Sequence, residues 1–477
     1  MIKFFTKIDR CGKINITSIF NLDTGEAVTI SDVINMHGDV ICDDLDDVFV
    51  AIFKELNKQK VHQVFNATKN NQYSISYNSG NVSNIKILKN NGYLFLCNFK
   101  NKYNQEWDAD TYDILIKYSQ LKGRDASSIG MCAFNELLTT TFKAHGQNLP
   151  VPACKTIFRR DYPILHDEIL DEAKKYTQGY QLARKGEYYD TYEYDISGSY
   201  LAQLQGDTPM GAPRDYATID DVPDTYWYIV KCNVIRPMCR PNTMDWLSIN
   251  GTNICTIVLT KHLYMLFLDT YTFFDVKIKR ITAFKTVHDK FYQFVQNNRG
   301  SKNLADEKCI RKYDKAIANS VVGFFGRNCD KNYTKFDNKG NITTHSTSRE
   351  PVYLPIYLYV TGKAKAEFIR TLLRVGVDNI VYCNTDGFIC TKQLDIDILN
   401  IGRPNALGAF RLNKNYTRLY IRSINGYVGE DSTGDVTNTI SGQRLLDPIS
   451  VQQYMTQDYT YTIRVIDKDG DLAVETA

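Results

Sequence analysis

The chain has 477 residues, 43% hydrophobic and 23% charged, an ordinary composition for a globular protein and a length too great for one compact core. No window approaches the ~18 consecutive apolar residues of a membrane span, and the start MIKFFTKIDR has no apolar run followed by a small-residue cleavage site. No membrane partner and a cytoplasmic location are therefore expected, while a net charge of +3 is too small to mark a nucleic-acid partner by itself.

In chain order, residues 1 to about 150 combine an acidic run, CDDLDDVF at 42–49, with Asn-rich turns and short alternating runs such as YSISY and YLFLCNF. These predict an α/β domain with several strands. NLPVPACKTIFRRDYP at 148–163 has three prolines and no period, which places a boundary near 150. DEILDEAKKY reads as a short amphipathic helix, and YYDTYEYDISGSYLAQL as a strand turning into a helix at about Gly198.

Between Lys277 and Lys315 eleven basic residues, Lys302 among them, face four acidic ones, and the stretch is mainly helical in pattern. In its last part Ile310, Tyr313, Ile317 and Val321 recur near a 3.6 spacing, and Gly323 and Gly326 are expected to close the helix. CDKNYTKFDNKGNITTHSTSRE then predicts a β-hairpin, TGKAKAEFIRTLLRVG a helix, and DNIVYCNTDGFICTK two strands meeting at a polar apex, Asn384 to Gly387. Arg411, Lys414, Arg418 and Arg422 form a second basic segment with interleaved tyrosines. Either basic segment could track a phosphate backbone or be a solvated face. The twelve cysteines occur singly, without C-x-x-C or a neighbouring His, and read as reduced, mostly buried thiols.

Nucleotidyl transfer requires two divalent ions bridged by carboxylates, and one aspartate on each of two adjacent strands can supply them. YDISGSYLAQL, KAIANSVVGFFG and VYCNTDGFICT stand in the order and character of the three polymerase motifs of family B. The chain resembles the protein-primed bacteriophage branch of that family, from about residue 125 to the C-terminus. In the first motif, usually D-x-x-S-L-Y-P, Asp195 and Tyr200 are kept. In the second, K-x-x-x-N-S-x-Y-G, Lys315, Asn319, Ser320 and Gly323 are kept and Val322 replaces the tyrosine. In the third, Y-x-D-T-D-S, Asp386 is kept, while Asn384 replaces the first aspartate and Gly387 the serine. Tyr176 to Gly179 is similar to the Y-x-G-G element, and Asn425 and Tyr427 to the K-x-Y element, with Asn425 at the lysine position.

The resemblance implies an α/β (α+β) right-hand polymerase with palm, fingers and thumb behind a reduced, RNase H-like exonuclease domain. It implies two Mg2+ ions, Mn2+ being an alternative, held by Asp195, the Ile196 carbonyl and Asp386. Lys315 and Lys302 would meet the phosphates of an incoming dNTP, Tyr200 its sugar and Asn319 the nascent base pair. Tyr176, Gly179, Thr385, Arg418 and Tyr427 would contact DNA template and primer. The implied units are 1–150, an exonuclease-like domain; 151–284, linker, first part of the palm and a terminal-protein insertion; and 285–327, the fingers. There follow 328–351, a strand-displacement hairpin; 352–405, the second part of the palm; and 406–477, the thumb.

A terminal protein primer and a single-stranded-DNA-binding protein are the further partners implied, in the host cytoplasm if the chain is viral. Residues 1–150 hold no D-x-E exonuclease motif; the nearest groupings are Asp44-Leu45-Asp46 and Asp108-Ala109-Asp110 beside Asp113. No proofreading is expected. Two alternatives stay open: a catalytically weak or inactive nucleic-acid-binding protein of the same fold, and a primer-independent or lesion-tolerant polymerase.

Overall fold

The computed structural model describes residues 2–8, 14–21, 26–36, 40–42, 62–68, 72–78, 82–89, 129–144, 168–298, 308–326, 331–336, 342–347, 353–401, 407–440, 444–445, 448–457, 459, 461–466 and 472–476. The proline-rich segment, the acids of the run at 43–47, YLFLCNF, the aspartates at 108–113 and Lys302 lie outside these residues.

Six N-terminal strands form a mixed sheet in the order Ile14–Asn21, Ile2–Ile8, Val40–Cys42, Val82–Lys89, Gln72–Asn78 and His62–Thr68. Val40–Cys42 is parallel to both its neighbours and the other pairs are antiparallel. A parallel step needs a crossover, and the helix Ile30–Met36 lies in the connection before Val40. Its start is fixed reciprocally: the Thr29 N–H donates to Asp32 Oδ2 at 2.8 Å, and the Asp32 N–H donates to Thr29 Oγ1 at 3.2 Å.

The central sheet has seven strands in the order Val436–Ile440, Gly426–Glu430, Phe410–Ser423, Gly186–Ile196, Gly387–Cys390, Ile380–Asn384 and Gln181–Ala183. Every pair in it is antiparallel. Strand alternation along Thr191–Ile196 sets Tyr192, Tyr194 and Ile196 on one face and Thr191, Glu193 and Asp195 on the other. Tyr194 is buried and stacks on Phe388 at 5.4 Å. A unit beginning at 406 starts inside this sheet, because Phe410–Ser423 pairs with Gly186–Ile196 from Phe410↔Ile196 to Ile421↔Gly186.

A second sheet takes Ile254–Thr260, Tyr226–Ile235, Asp275–Val287 and Thr208–Tyr216 in that order, all antiparallel. Here the first part of the basic stretch departs from the helical expectation, since Asp275–Val287 is a 13-residue strand. Its V-K-I-K alternation has period two and its β-branched residues suit a ladder, which pairs from Tyr226↔Lys285 to Ile235↔Asp275. Helix resumes at Tyr292–Asn298 and Lys308–Gly326, and Gly323 lies inside the latter rather than closing it.

The helix Leu354–Val375 begins before the expected TGKAKAEF, with Pro355 in its first turn, where a missing N–H leaves no intrahelical bond unmade. It contributes to two cores. One joins its Ile356 and Val360 to Phe134, Leu137 and Leu138 of the helix Ile129–Ala144 and to Val321, Phe324 and Phe325. Phe134 stacks on Phe324 with centroids 4.8 Å apart, so this helix shares its core with residues beyond the boundary at 150. The other core sets Phe368, Ile369 and Leu372 with Leu263 and Phe267 of the helix Lys261–Thr270 and with Tyr194 and Phe388 of the central sheet.

Lys331–Phe336 and Ile342–Thr347 form the expected antiparallel hairpin, from Lys331↔Thr347 to Phe336↔Ile342. At the C-terminus, Arg444–Leu445, Tyr461–Ile466 and Leu472–Thr476 make a small sheet, and the helix Val451–Thr456, which a Ser450/Gln453 capping box starts, packs on Val428 of the central sheet.

Candidate active site

Asp195 is the penultimate residue of Gly186–Ile196. The chain then turns through Gly198 at φ +60, a conformation a Cβ disfavours, into the helix Ser199–Gln203 that carries Tyr200. Tyr200 is half-buried against the first core. Burial, then the charges of Asp386 and Tyr357, push its phenol up to about 12, so it remains a protonated, neutral ring.

Asp386 stands at the apex of the hairpin formed by Ile380–Asn384 and Gly387–Cys390. Gly387 pairs with Asp195, and the Ile196 N–H donates to the Asp386 carbonyl at 3.0 Å, which puts the two aspartates on adjacent strands. Burial, then the charge of Asp195, push Asp386 up to about 6, and Lys315 draws it partly back. Lys315, Asn319 and Gly323 form an exposed stripe at four-residue spacing, whereas Ile317, Ala318, Val321, Val322 and Phe325 are buried. Val322 is thus a core residue, replacing the motif's tyrosine with an aliphatic side chain.

Thr385 takes φ +64, unusual for a β-branched residue and worth on the order of 1–2 kcal/mol of strain. Two hydrogen bonds hold it there: the Asp386 N–H donates to the Asn384 carbonyl at 2.8 Å, and the Thr385 N–H to the Tyr180 carbonyl at 3.0 Å. Gly179 explains why this segment can come so close, since a Cβ on it would lie 2.4 Å from Thr385 Oγ1. Tyr176 anchors the same segment. Its hydroxyl donates to the Thr256 carbonyl at 3.1 Å, and its carbonyl accepts from Lys365 Nζ at 2.8 Å. Lys365 is buried, which lowers its pKa to about 8.

Asn384 lies among neutral partners. It donates through Nδ2 to Asn425 Oδ1 at 2.6 Å and accepts at Oδ1 from Gln181 Nε2 and Thr385 Oγ1, each at 3.0 Å. The two positions where the family pattern has an acid and a lysine are therefore opposite ends of one contact, and both have become asparagine. Their joint departure was the signal in the sequence; the contact itself was not visible there.

The second basic segment is mostly engaged inside the protein. Arg418 Nε donates to Glu187 Oε1 at 2.7 Å, Lys414 hydrogen-bonds Thr437, and Arg422 bonds the Tyr454 carbonyl beneath its ring, 4.2 Å from the centroid. Tyr427 is 7% exposed and meets Tyr382 edge-on at 4.9 Å. Arg411 differs. Directly opposite Asp195 in register, it donates through Nη2 to Asp195 Oδ2 at 3.3 Å, a contact the sequence did not announce.

The donor set suits a hard cation. Burial first, and then the charge of Asp195, raise Asp386, and a divalent ion held by both carboxylates would offset both effects. Among the described residues no group of three or more His, Cys, Asp or Glu could hold a metal. An ion here would complete its shell from backbone, water and substrate, as magnesium commonly does. Among those residues also, no helix is long and apolar enough to cross a membrane.

The family model of DNA polymerase type B, organellar and viral, matches residues 154–394. The structure of Phi29 DNA polymerase complexed with primer-template DNA and incoming nucleotide substrates aligns at a TM-score of 0.71 and 14% identity, covering 100% of this chain and 98% of that one. The same polymerase complexed with single-stranded DNA aligns at 0.70 and 15%, again covering 100% and 98%. At such identity the likeness is one of fold, the mixed α/β fold of a right-hand polymerase. No curated protein sequence matches the chain.

Proposed function

The chain belongs to the organellar and viral type B DNA polymerases, and from that premise we propose that it extends a 3′-hydroxyl on a DNA template at Asp195 and Asp386. That it is a DNA-directed DNA polymerase follows from the family; which residues act, and how the enzyme starts, is our reading. The observation that carries it is the register pairing of Gly387 with Asp195, which brings the two carboxylates together from separate motifs.

Asp195, Asp386 and the Ile196 carbonyl would hold two divalent ions, Mg2+ with Mn2+ as substitute. Such ions supply an activated 3′-hydroxyl and charge for the departing pyrophosphate. Lys315, facing Asp386, would bind the phosphates of the incoming dNTP, and Lys302, outside the described residues, is the second candidate for that role. Tyr200 lies under the sugar, where its neutral ring leaves no room for a 2′-hydroxyl. Asn319, one turn beyond Lys315, stands at the nascent base pair. Tyr176, Gly179 and Thr385 line the template side. Arg418 and Tyr427 shape the primer side from their internal contacts.

On this reading the central sheet is the palm, Lys308–Gly326 the main helix of the fingers, and Lys331–Thr347 a strand-displacement hairpin. The 120 residues between Asp195 and Lys315 contain the second sheet, which offers a platform for a protein primer. Transfer of a labelled dNMP to a protein hydroxyl supports that starting mode; extension from DNA primers alone overturns it. Without a D-x-E in residues 1–150 the enzyme leaves a mismatched 3′ end in place, and metal-dependent excision of that end would refute this.

Primer extension on a defined template tests the reading itself. Templated incorporation with Mg2+ or Mn2+ is expected. No incorporation with either ion would favour the non-catalytic nucleic-acid-binding alternative that the Asn384 and Asn425 replacements motivate.

A further inference from the structure

Arg411 is the basic residue of the second basic segment that reaches a proposed catalytic carboxylate. It lies opposite Asp195 in the ladder, with Nη2 3.3 Å from Oδ2, and its side chain is 54% exposed against 28% for Asp195. Three features of this pair matter. It uses an oxygen that a cation at Asp195 would need. It is open to water, so the guanidinium can leave at little expense. And Arg411 presents a planar fork of donors suited to phosphate oxygens. The strand fixes its Cα beside Asp195, so a swung-out side chain still ends within reach of whatever binds there.

Resting on the proposed role of Asp195 in holding a divalent ion, we propose that Arg411 has two positions in the catalytic cycle. In the empty site it neutralises Asp195 and competes with free divalent cations. In the loaded site it turns to the triphosphate of the incoming nucleotide, opposite Lys315 on the fingers helix. The metal and the nucleotide then enter most favourably together, because the triphosphate gives Arg411 an alternative anion at the moment the cation takes Asp195. Lys315 and Arg411 would grip the phosphates from two elements, one on the helix and one on the sheet.

The test uses the full chain and two readouts. Mn2+ binding without nucleotide is followed by electron paramagnetic resonance for wild type, Arg411→Gln, Arg411→Lys and Asp195→Asn. The KM for dNTP is measured for the two Arg411 variants. An exposed ion pair contributes at most about 1 kcal/mol, so Arg411→Gln should bind free Mn2+ about three- to fivefold more tightly. Its KM for dNTP should rise by a similar factor, and Arg411→Lys should fall between it and wild type. Unchanged or weaker Mn2+ binding by Arg411→Gln, with Asp195→Asn binding lost, overturns the role of Arg411 alone. Mn2+ binding by Asp195→Asn equal to wild type overturns the metal role of Asp195 on which this proposal rests.

Discussion

Asp386 carries an electrostatic load that makes it useful and makes the fold less stable. Its pKa of about 6 lies above the ordinary 3.8, chiefly through burial and then through Asp195. For a carboxyl raised in the folded state, that contribution to stability is fully present below pH 3.8 and is lost as the pH rises through about 6. At pH 8 the penalty is on the order of 2–3 kcal/mol. Asp386→Asn should therefore melt a few degrees above wild type at pH 8 and together with it near pH 4, while losing activity; a lower melting temperature at pH 8 would contradict the strain. Asn384 and Asn425 form a second residue-level device. Asn384→Asp sets a charge against neutral Asn425, Gln181 and Thr385 with no cation to balance it and should slow incorporation, and Asn425→Lys in the same chain should recover part of the rate. A double-mutant cycle is expected to give a coupling of about 1 kcal/mol, and strict additivity would show that the contact plays no such part. The identities of these residues could be read in the sequence. Their pairing could not, since Asn384 and Asn425 meet only through the order of strands in the central sheet.

The hairpin that presents Asp386 is held from outside by the segment Tyr176–Tyr180, so the turn and its support are separate elements in one mechanical unit. Gly179→Ala would place a Cβ 2.4 Å from Thr385 Oγ1, and overpacking of this kind typically costs about 1–3 kcal/mol. Displacing the turn moves Asp386, and a shift of ~1 Å can slow catalysis about a hundredfold. We expect Gly179→Ala to lower kcat strongly, and Thr385→Gly to rescue it partly by vacating the space and accepting φ +64 without strain. Wild-type kcat in Gly179→Ala would refute this coupling. Elements with clear local periods, such as the Asp386 hairpin and the 3.6-spaced helix through Lys315, were legible in the sequence. Asp275–Val287 was not, because its three lysines and one arginine masked a two-residue alternation that the neighbouring Tyr226–Ile235 strand completes. The start of Leu354–Val375 was hidden by proline, aromatic and β-branched residues that propensity disfavours and core packing overrides.

At the scale of the whole molecule, the two proposed metal-binding aspartates come from parts of the chain that only the central sheet unites, with Gly186–Ile196 between strands from two later segments. The long helix Leu354–Val375 joins that sheet to the fingers-like helix by giving side chains to both cores. The charge of Lys315 thus lies near Asp386 and draws its carboxyl back down. Fold and family were legible because three motifs keep their order; that strands after 406 join the sheet begun near 181, and that the helix Ile129–Ala144 joins the core beyond 150, was not, because both depend on long-range packing. The most direct test is rapid-quench measurement of single-nucleotide incorporation with Mg2+ at saturating primer-template, with DNA affinity measured for each variant. Asp195→Asn and Asp386→Asn should bind DNA as wild type does and incorporate about a hundredfold more slowly or worse. Incorporation at the wild-type rate by either variant would contradict the assignment of these two carboxylates as the catalytic pair.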